Sequence, residues 1–191
     1  MLILGSGSVE RKELLISIGL VPDIIKKPEI DETLKPNERP VTYVKRMAEE
    51  KANAVPLEKQ SFLITADTIV VAGSRVLSKT SDEKVAHSYL RMLSGRRHSV
   101  FTAFCVQHNG IQNLKLVKTS LKMKLLSAKE IKDYIACKEW VGSAGAYRTQ
   151  GRAKAFFPFI SGCFSNVVGL PIPRLVSVLK GMGFFRGLDE Q

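Results

Sequence analysis

The hydrophobic and polar residues of this chain follow two rhythms, one of period two and one of period 3.6, and the switches between them outline its elements. Leu2 to Leu4 is a short apolar run that predicts a strand, and after four small residues, Gly5-Ser6-Gly7-Ser8, a helical spacing begins. Ser8 is placed to cap a helix from Val9 to Ile18 with Leu14, Leu15 and Ile18 as its buried stripe, and Gly19 is the left-handed residue that ends it. Asp23 to Ile25 predicts a short strand and Pro40 to Val55 a helix with proline near its start. Phe62 to Ala72 reads as a strand pair or one long interrupted strand. Thr80, with Glu83 completing a capping box, opens a helix to Leu93 that Gly95 ends. Val100 to Val106 and Leu114 to Leu125 alternate as strands around the hairpin signal Asn109-Gly110, with a parity slip near Val117 that predicts a bulge. Ser127 and Glu130 form another capping box for a helix to about Cys137, Ala153 to Ile160 reads as an edge strand carrying Pro158, and a last helix runs from about Arg174 to Met182. Early strand-helix alternation followed by an antiparallel middle predicts an α/β fold on a mixed sheet, and no repeat or linker divides residues 1–191 into more than one domain.

Three polar residues break these patterns where breaking them is costly. Asp67 lies inside Phe62-Leu63-Ile64-Thr65-Ala66-Asp67-Thr68-Ile69-Val70-Val71, and a carboxylate in a buried strand requires a cation, a metal or several donors. Lys51 shares the helical face of Val44, Met47, Ala48, Ala52 and Val55, so its ammonium either snorkels outward or reaches inward to an anion. For both, a structural ion pair competes with a catalytic role. Lys79, just before a helix in Val76-Leu77-Ser78-Lys79-Thr80, is by itself an ordinary loop lysine.

The Gly5-Ser6-Gly7-Ser8 loop fits neither of two phosphate templates. A dinucleotide fingerprint needs a glycine where Glu10 stands, and a Walker loop needs Gly-Lys-Ser/Thr five residues after its first glycine. Small residues ahead of a helix still offer an anion free N–H groups, and Arg11 and Lys12 in the first turn oppose the helix dipole unless something negative lies near. A surface turn with a solvated basic pair accounts for the same residues. The net charge of +11 favours anionic company, whether polyphosphate, nucleic acid or an acidic surface, although solvated lysines produce it too. Cys105, Cys137 and Cys163 lack metal-like spacing and fit a reducing compartment. With no charged leader before the first strand and no apolar stretch near the roughly 20 residues of a membrane span, the expectation is a soluble cytoplasmic protein without membrane contact. His87, His98 and His108 fall on a helix face and at two strand positions with no accompanying acid pattern, and read as structural or exposed.

Two further stretches complete the inventory. Ile30-Asp31-Glu32-Thr33 offers adjacent carboxylates, and Gly142-Ser143-Ala144-Gly145-Ala146-Tyr147-Arg148-Thr149-Gln150-Gly151 is a loop of small residues ending in an amide. Basic groups can hold phosphates, carboxylates can hold a divalent ion and activate water, and Gln150 can read a base edge as donor and acceptor.

With these pieces in order, nearly the whole chain resembles the Maf-like nucleoside triphosphate pyrophosphatases, also called septum formation inhibitor homologues. The resemblance rests on Ser6-Gly7-Ser8 with Arg11-Lys12, Ile30-Asp31-Glu32-Thr33, Glu50-Lys51-Ala52, Ala66-Asp67-Thr68, Lys79, Leu93-Ser94-Gly95-Arg96, Ala144-Gly145-Ala146-Tyr147, Gln150-Gly151 and Ser165-Asn166-Val167-Val168-Gly169-Leu170-Pro171. It implies an elongated, twisted mixed sheet flanked by helices, in two lobes with a central cleft. It also implies metal-dependent hydrolysis of a nucleoside triphosphate to the monophosphate and pyrophosphate, in nucleotide-pool house-cleaning or linked to division arrest. Asp67 matches the family's proton acceptor, and Ser8, Arg11, Lys51, Lys79 and Gln150 match its pocket positions. On that reading Ser8, Arg11, Lys51 and Lys79 meet the phosphates, Asp67 and Glu32 hold Mg²⁺ or Mn²⁺, and Glu10, Thr68 and Gln150 bear on the base. Homodimer assembly is compatible with it. The chain departs from the family at Val9, Glu10, Ser78, Thr80 and Arg148-Thr149; Thr68 and Gln150 resemble the branch acting on dTTP and UTP, whereas Glu10 does not. Two rival readings are a nucleic-acid-binding or division-regulating protein without turnover, disfavoured by an aromatic content of 7%, and a different hydrolase on the same carboxylates.

Overall fold

A computed structural model describes residues 1–186. In chain order its elements are β1 (Leu2–Gly5), α1 (Val9–Ile16), β2 (Ile24–Ile25), α2 (Pro40–Asn53), β3 (Phe62–Ala72), β4 (Arg75–Leu77), α3 (Glu83–Leu93), β5 (Arg97–His108), β6 (Ile111–Lys122), α4 (Ala128–Ala136), a 3-10 turn (Arg152–Phe156), β7 (Phe159–Ser161), α5 (Phe164–Val168) and α6 (Ile172–Gly181). Seven strands share one sheet in the order β2-β1-β3-β5-β6-β7, with β4 paired to β3 off that path. β1 is parallel to β2 and β3, whereas β4 and β7 run antiparallel to β3 and β6. This is the mixed α/β sheet that the pattern predicts, flanked by helices as the resemblance implies.

The residues group into two units. The first comprises Met1–Asp67, Thr102–Val117 and the residues from Gly169 onward. Here β3 is buried on both faces, as parallel strands covered by helices are. Its even positions, Phe62, Ile64 and Ala66, join Leu4, Leu15, Phe104 and Leu175, while Leu63 on the other face joins Ile3, Ala52 and Val55. Asn109 and Gly110 both take positive φ, 47° and 79°, which is the two-residue turn whose twist suits a hairpin.

The second unit comprises Thr68–Phe101 and Lys118–Val168, with its own core around Leu77, Leu90, Leu93, Tyr134 and Trp140. The Ser127–Glu130 box forms in both directions at the start of α4. Two expectations are corrected in this unit. Thr80 does not cap α3: its hydroxyl accepts from the Asp82 N–H, and the Asp82 carboxylate caps the helix by accepting from Lys84 and Val85. Glu83 is therefore the first helical residue, and the Thr80 box does not exist. Of the expected strand Ala153 to Ile160 only Phe159 and Ile160 are in a strand, as the first two residues of β7 at the sheet edge, as Pro158 implies. The Glu139 carboxylate accepts from the Arg152 N–H at 2.7 Å and starts a 3-10 turn in which Ala153 and Phe156, three apart, are buried together. α5, too short to show a period, has no counterpart in the pattern. Its Asn166, fully buried, donates to the Val100 carbonyl and to Thr119 Oγ1, so this part of the Ser165 to Pro171 motif pins the second unit's fold.

His98 lies buried against Tyr147, Nε2 to hydroxyl 2.8 Å, and burial pushes its pKa down to about 4. Because its folded value lies below the ordinary 6.5, the unfolded chain takes up this proton first. The neutral ring's contribution is present above about pH 6.5 and is lost progressively toward pH 4, a total of roughly 3 kcal/mol. Urea melts at pH 7 and pH 4.5 should show this loss, and His98→Gln should flatten the dependence across that window.

Candidate active site

Strand parity aims the acid. Leu63, Thr65 and Asp67 occupy one face of β3, toward α2, where Thr65 Oγ1 donates to the Ala48 carbonyl at 2.7 Å. On α2 the buried residues are Val44, Met47, Ala48, Lys51 and Ala52, a stripe with a lysine in it. Lys51 reaches inward: Nζ lies 2.8 Å from Asp67 Oδ1 and 2.8 Å from Glu32 Oε1. The Lys51 and Asp67 side chains are each 8% exposed, that of Glu32 50%. One ammonium thus gathers two carboxylates where β3 runs on past the C-terminal end of β1, its parallel neighbour, whose last pair is Gly5 with Thr65.

β1 delivers the other half. Gly5 pairs with Thr65, and a Cβ at Gly5 would stand 2.6 Å from Thr65 Cγ2, so only glycine lets the strands approach this closely. The chain then turns through Ser6 into α1, where Ser8 Oγ caps by accepting from the Arg11 N–H at 3.3 Å and donates to Glu10 Oε2 at 2.8 Å. Of the basic pair, Lys12 is exposed, but Arg11 is turned inward and buried. Its Nε donates to the Gly169 carbonyl at 2.9 Å and Nη1 to Ser6 Oγ at 3.0 Å. Burial lowers the Arg11 pKa, and the charges of Asp67, Glu10 and Glu32 oppose that shift, which identifies the negative groups that a cation in the first turn calls for. Gly7 has the Lys27 stem packed over it, 3.3 Å from where a Cβ would be.

The first unit therefore brings together Asp67, Lys51, Glu32, Arg11, Ser8 and Glu10. Thr68, Lys79 and Gln150 belong to the second unit: Thr68 is half-buried in β3, Lys79 is exposed and bridges through its backbone to Ala144, and Gln150 is half-buried at the end of its loop. Tyr43 and Arg46 of α2 were not singled out by the pattern. Tyr43 donates to the Glu32 carbonyl at 2.9 Å, and burial together with Asp67 and Glu32 pushes its phenol up to about 12. The signal was the spacing of Tyr43, Met47 and Lys51, four apart on one face.

Among the described residues no three His, Cys, Asp or Glu side chains form a metal-binding cluster. Two carboxylates suffice for magnesium, which keeps several waters and takes further oxygens from substrate phosphates. Asp67 and Glu32 supply hard oxygens converging on one cation, so the donor set fits Mg²⁺ or Mn²⁺. No helix among the described residues is long and apolar enough to cross a membrane.

The sequence matches the family described as Maf-like protein over residues 1–182. A dTTP/UTP pyrophosphatase of Roseobacter denitrificans is 45% identical over 184 residues, covering 96% of this chain and 98% of that one. A dTTP/UTP pyrophosphatase of Zymomonas mobilis is 44% identical, covering 96% and 92%. A nucleoside triphosphate pyrophosphatase of Neorickettsia sennetsu is 44% identical, covering 98% and 91%.

Proposed function

The chain belongs to the Maf family, and from that membership and the site's geometry we propose that it hydrolyses a nucleoside triphosphate to the monophosphate and pyrophosphate, acting as a single Maf-like domain. The observation that carries the reading is the buried Lys51 ammonium joined to both Asp67 and Glu32, beside a buried Arg11. Such a set supplies positive charge for phosphate oxygens and a carboxylate for a water, which is what phosphoryl chemistry demands.

Lys51 and Arg11 neutralise phosphate charge, and Ser8 with the N–H groups of the Gly5–Ser8 turn lines the cradle. A nucleotide polyphosphate draws Lys51 toward its oxygens and leaves Asp67 free to orient the attacking water and accept its proton. A divalent ion held by Asp67 and Glu32 would supply charge neutralisation and a more acidic water. The assignment of Lys79 to phosphate, and of Glu10, Thr68 and Gln150 to the base, rests on the motif correspondence. Glu10 also has a local role, since its carboxylate accepts from Ser8 and suits the helix N-terminus. The relatives' names make dTTP and UTP the substrates to try first.

The test is a panel of nucleoside triphosphates with Mg²⁺ or Mn²⁺, its products separated by ion exchange. Monophosphate and pyrophosphate should appear in equal amounts. Orthophosphate with the nucleoside diphosphate as first products, or no turnover of any nucleotide, overturns the reading.

A further inference from the structure

Residues 26–39, between β2 and α2, form neither helix nor strand, and Glu32 sits in their middle. Its ion pair with Lys51 is half exposed on the glutamate side, and one such contact does not by itself offset the conformational entropy of ordering the whole connection. The ordering contacts come from α2. Arg46 Nε and Nη2 donate to the two oxygens of Glu38, each at 2.7 Å, as a bidentate fork. Nη2 also donates to the Thr33 carbonyl at 3.0 Å, and Nη1 turns back to Glu50 at 3.3 Å. The guanidinium lies 5.5 Å from the Tyr43 ring, and the Tyr43 hydroxyl donates to the Glu32 carbonyl at 2.9 Å. Two successive carbonyls, of Glu32 and Thr33, are thus fixed by side chains three apart on one helix. The grip is tight on the acid side too: the Glu38 side chain is 7% exposed, and Arg46 holds its carboxyl down at about 2.

We propose that Arg46 is a positioning residue: its fork straps the 26–39 segment to α2 and thereby delivers the Glu32 carboxylate to Lys51 and Asp67. The inference rests on the reading of Glu32 as a site carboxylate. Arg46 touches neither Asp67 nor Lys51 in the described contacts, so it acts on the site through Glu32. A lysine cannot replace it, because a single ammonium lacks the planar fork that spans Glu38 and the Thr33 carbonyl together.

The decisive experiment is a double-mutant cycle in the full chain, comparing wild type, Arg46→Gln, Glu32→Gln and the double variant. Two quantities are read: kcat/KM for pyrophosphate release, and Mn²⁺ affinity by electron paramagnetic resonance without nucleotide. Arg46→Gln should lower kcat/KM at least about tenfold and weaken Mn²⁺ at least about threefold. In the Glu32→Gln background the same substitution should change either by less than about twofold, because its route to the site is already cut. An equal loss in both backgrounds makes Arg46 a general support of the fold and overturns the proposal, as does wild-type behaviour of Arg46→Gln. Arg46→Lys, which keeps charge toward Glu38 and Glu50, guards against loss of folding and should fall between. If the wild-type chain releases no pyrophosphate, the functional reading fails while the Mn²⁺ cycle still decides the strap. A chain that neither releases pyrophosphate nor binds Mn²⁺ overturns both.

Discussion

Asp67→Asn is expected to lower pyrophosphate release by about 10²- to 10⁴-fold, the usual loss when a general base is removed. The substitution is conservative in shape. Lys51 Nζ can still donate to an amide oxygen at position 67 and keeps its pair with Glu32, so the buried ammonium is not orphaned. What disappears is the capacity to accept a proton and to hold a cation. Folding and catalysis therefore separate in this variant: a cooperative thermal melt near that of the wild type, together with loss of turnover of dTTP and UTP, assigns Asp67 to the chemistry. Retention of more than about a tenth of the activity with a lowered melting temperature would make Asp67 one half of a structural pair.

The legibility of this chain followed burial. Asp67 and Lys51 could be read from the sequence because each interrupts a pattern that burial imposes, an apolar strand run in one case and a helical stripe in the other. Their partnership could not, since nothing in either pattern fixes which face of β3 meets α2. The Asn109-Gly110 hairpin and the Ser127–Glu130 box were legible for a different reason, namely that each depends on backbone conformations or donors specified within four residues. Failures came where tertiary contacts outweigh local signals. Glu139, distant in sequence from Arg152, turns an apolar run into a 3-10 turn, and α5 is held by Asn166 rather than by any period of its own. Arg46 was illegible because an arginine and a glutamate on an amphipathic helix look like a solvated face; only the folded loop shows that the arginine spends its donors on Glu38 and Thr33.

Glu32 shows a related limit. Its place beside Asp67 came from resemblance, since a glutamate in an exposed, irregular segment carries no periodic signal. In the folded chain its carboxylate reaches the same ammonium as a buried strand residue 35 positions further along, which is a purely tertiary fact.

Lys51→Met should have the largest effect on stability, and its repair is the sharper test. Methionine matches the lysine stem in length but leaves Asp67, its side chain 8% exposed, without the ammonium 2.8 Å away. Removing one partner of a buried pair costs about 3–5 kcal/mol, because the remaining charge is neither solvated nor paired. For a chain of this size that corresponds to a fall in melting temperature of roughly 6–20 °C. Arg11 is the nearest compensation, its charge already interacting with Asp67, and would hold the loss toward the lower end. Activity should vanish with the phosphate-facing cation. Adding Asp67→Leu removes the stranded charge, and since a buried pair replaced by apolar residues of similar volume is often neutral or stabilising by about 1–4 kcal/mol, the double variant should recover most of the lost stability. It should remain inactive. That combination, a stable fold without turnover, is what a pair retained for chemistry predicts. A double variant that stays as unstable as Lys51→Met would instead mean that the ion pair holds α2 against β3, and that catalysis depends on it only through the fold.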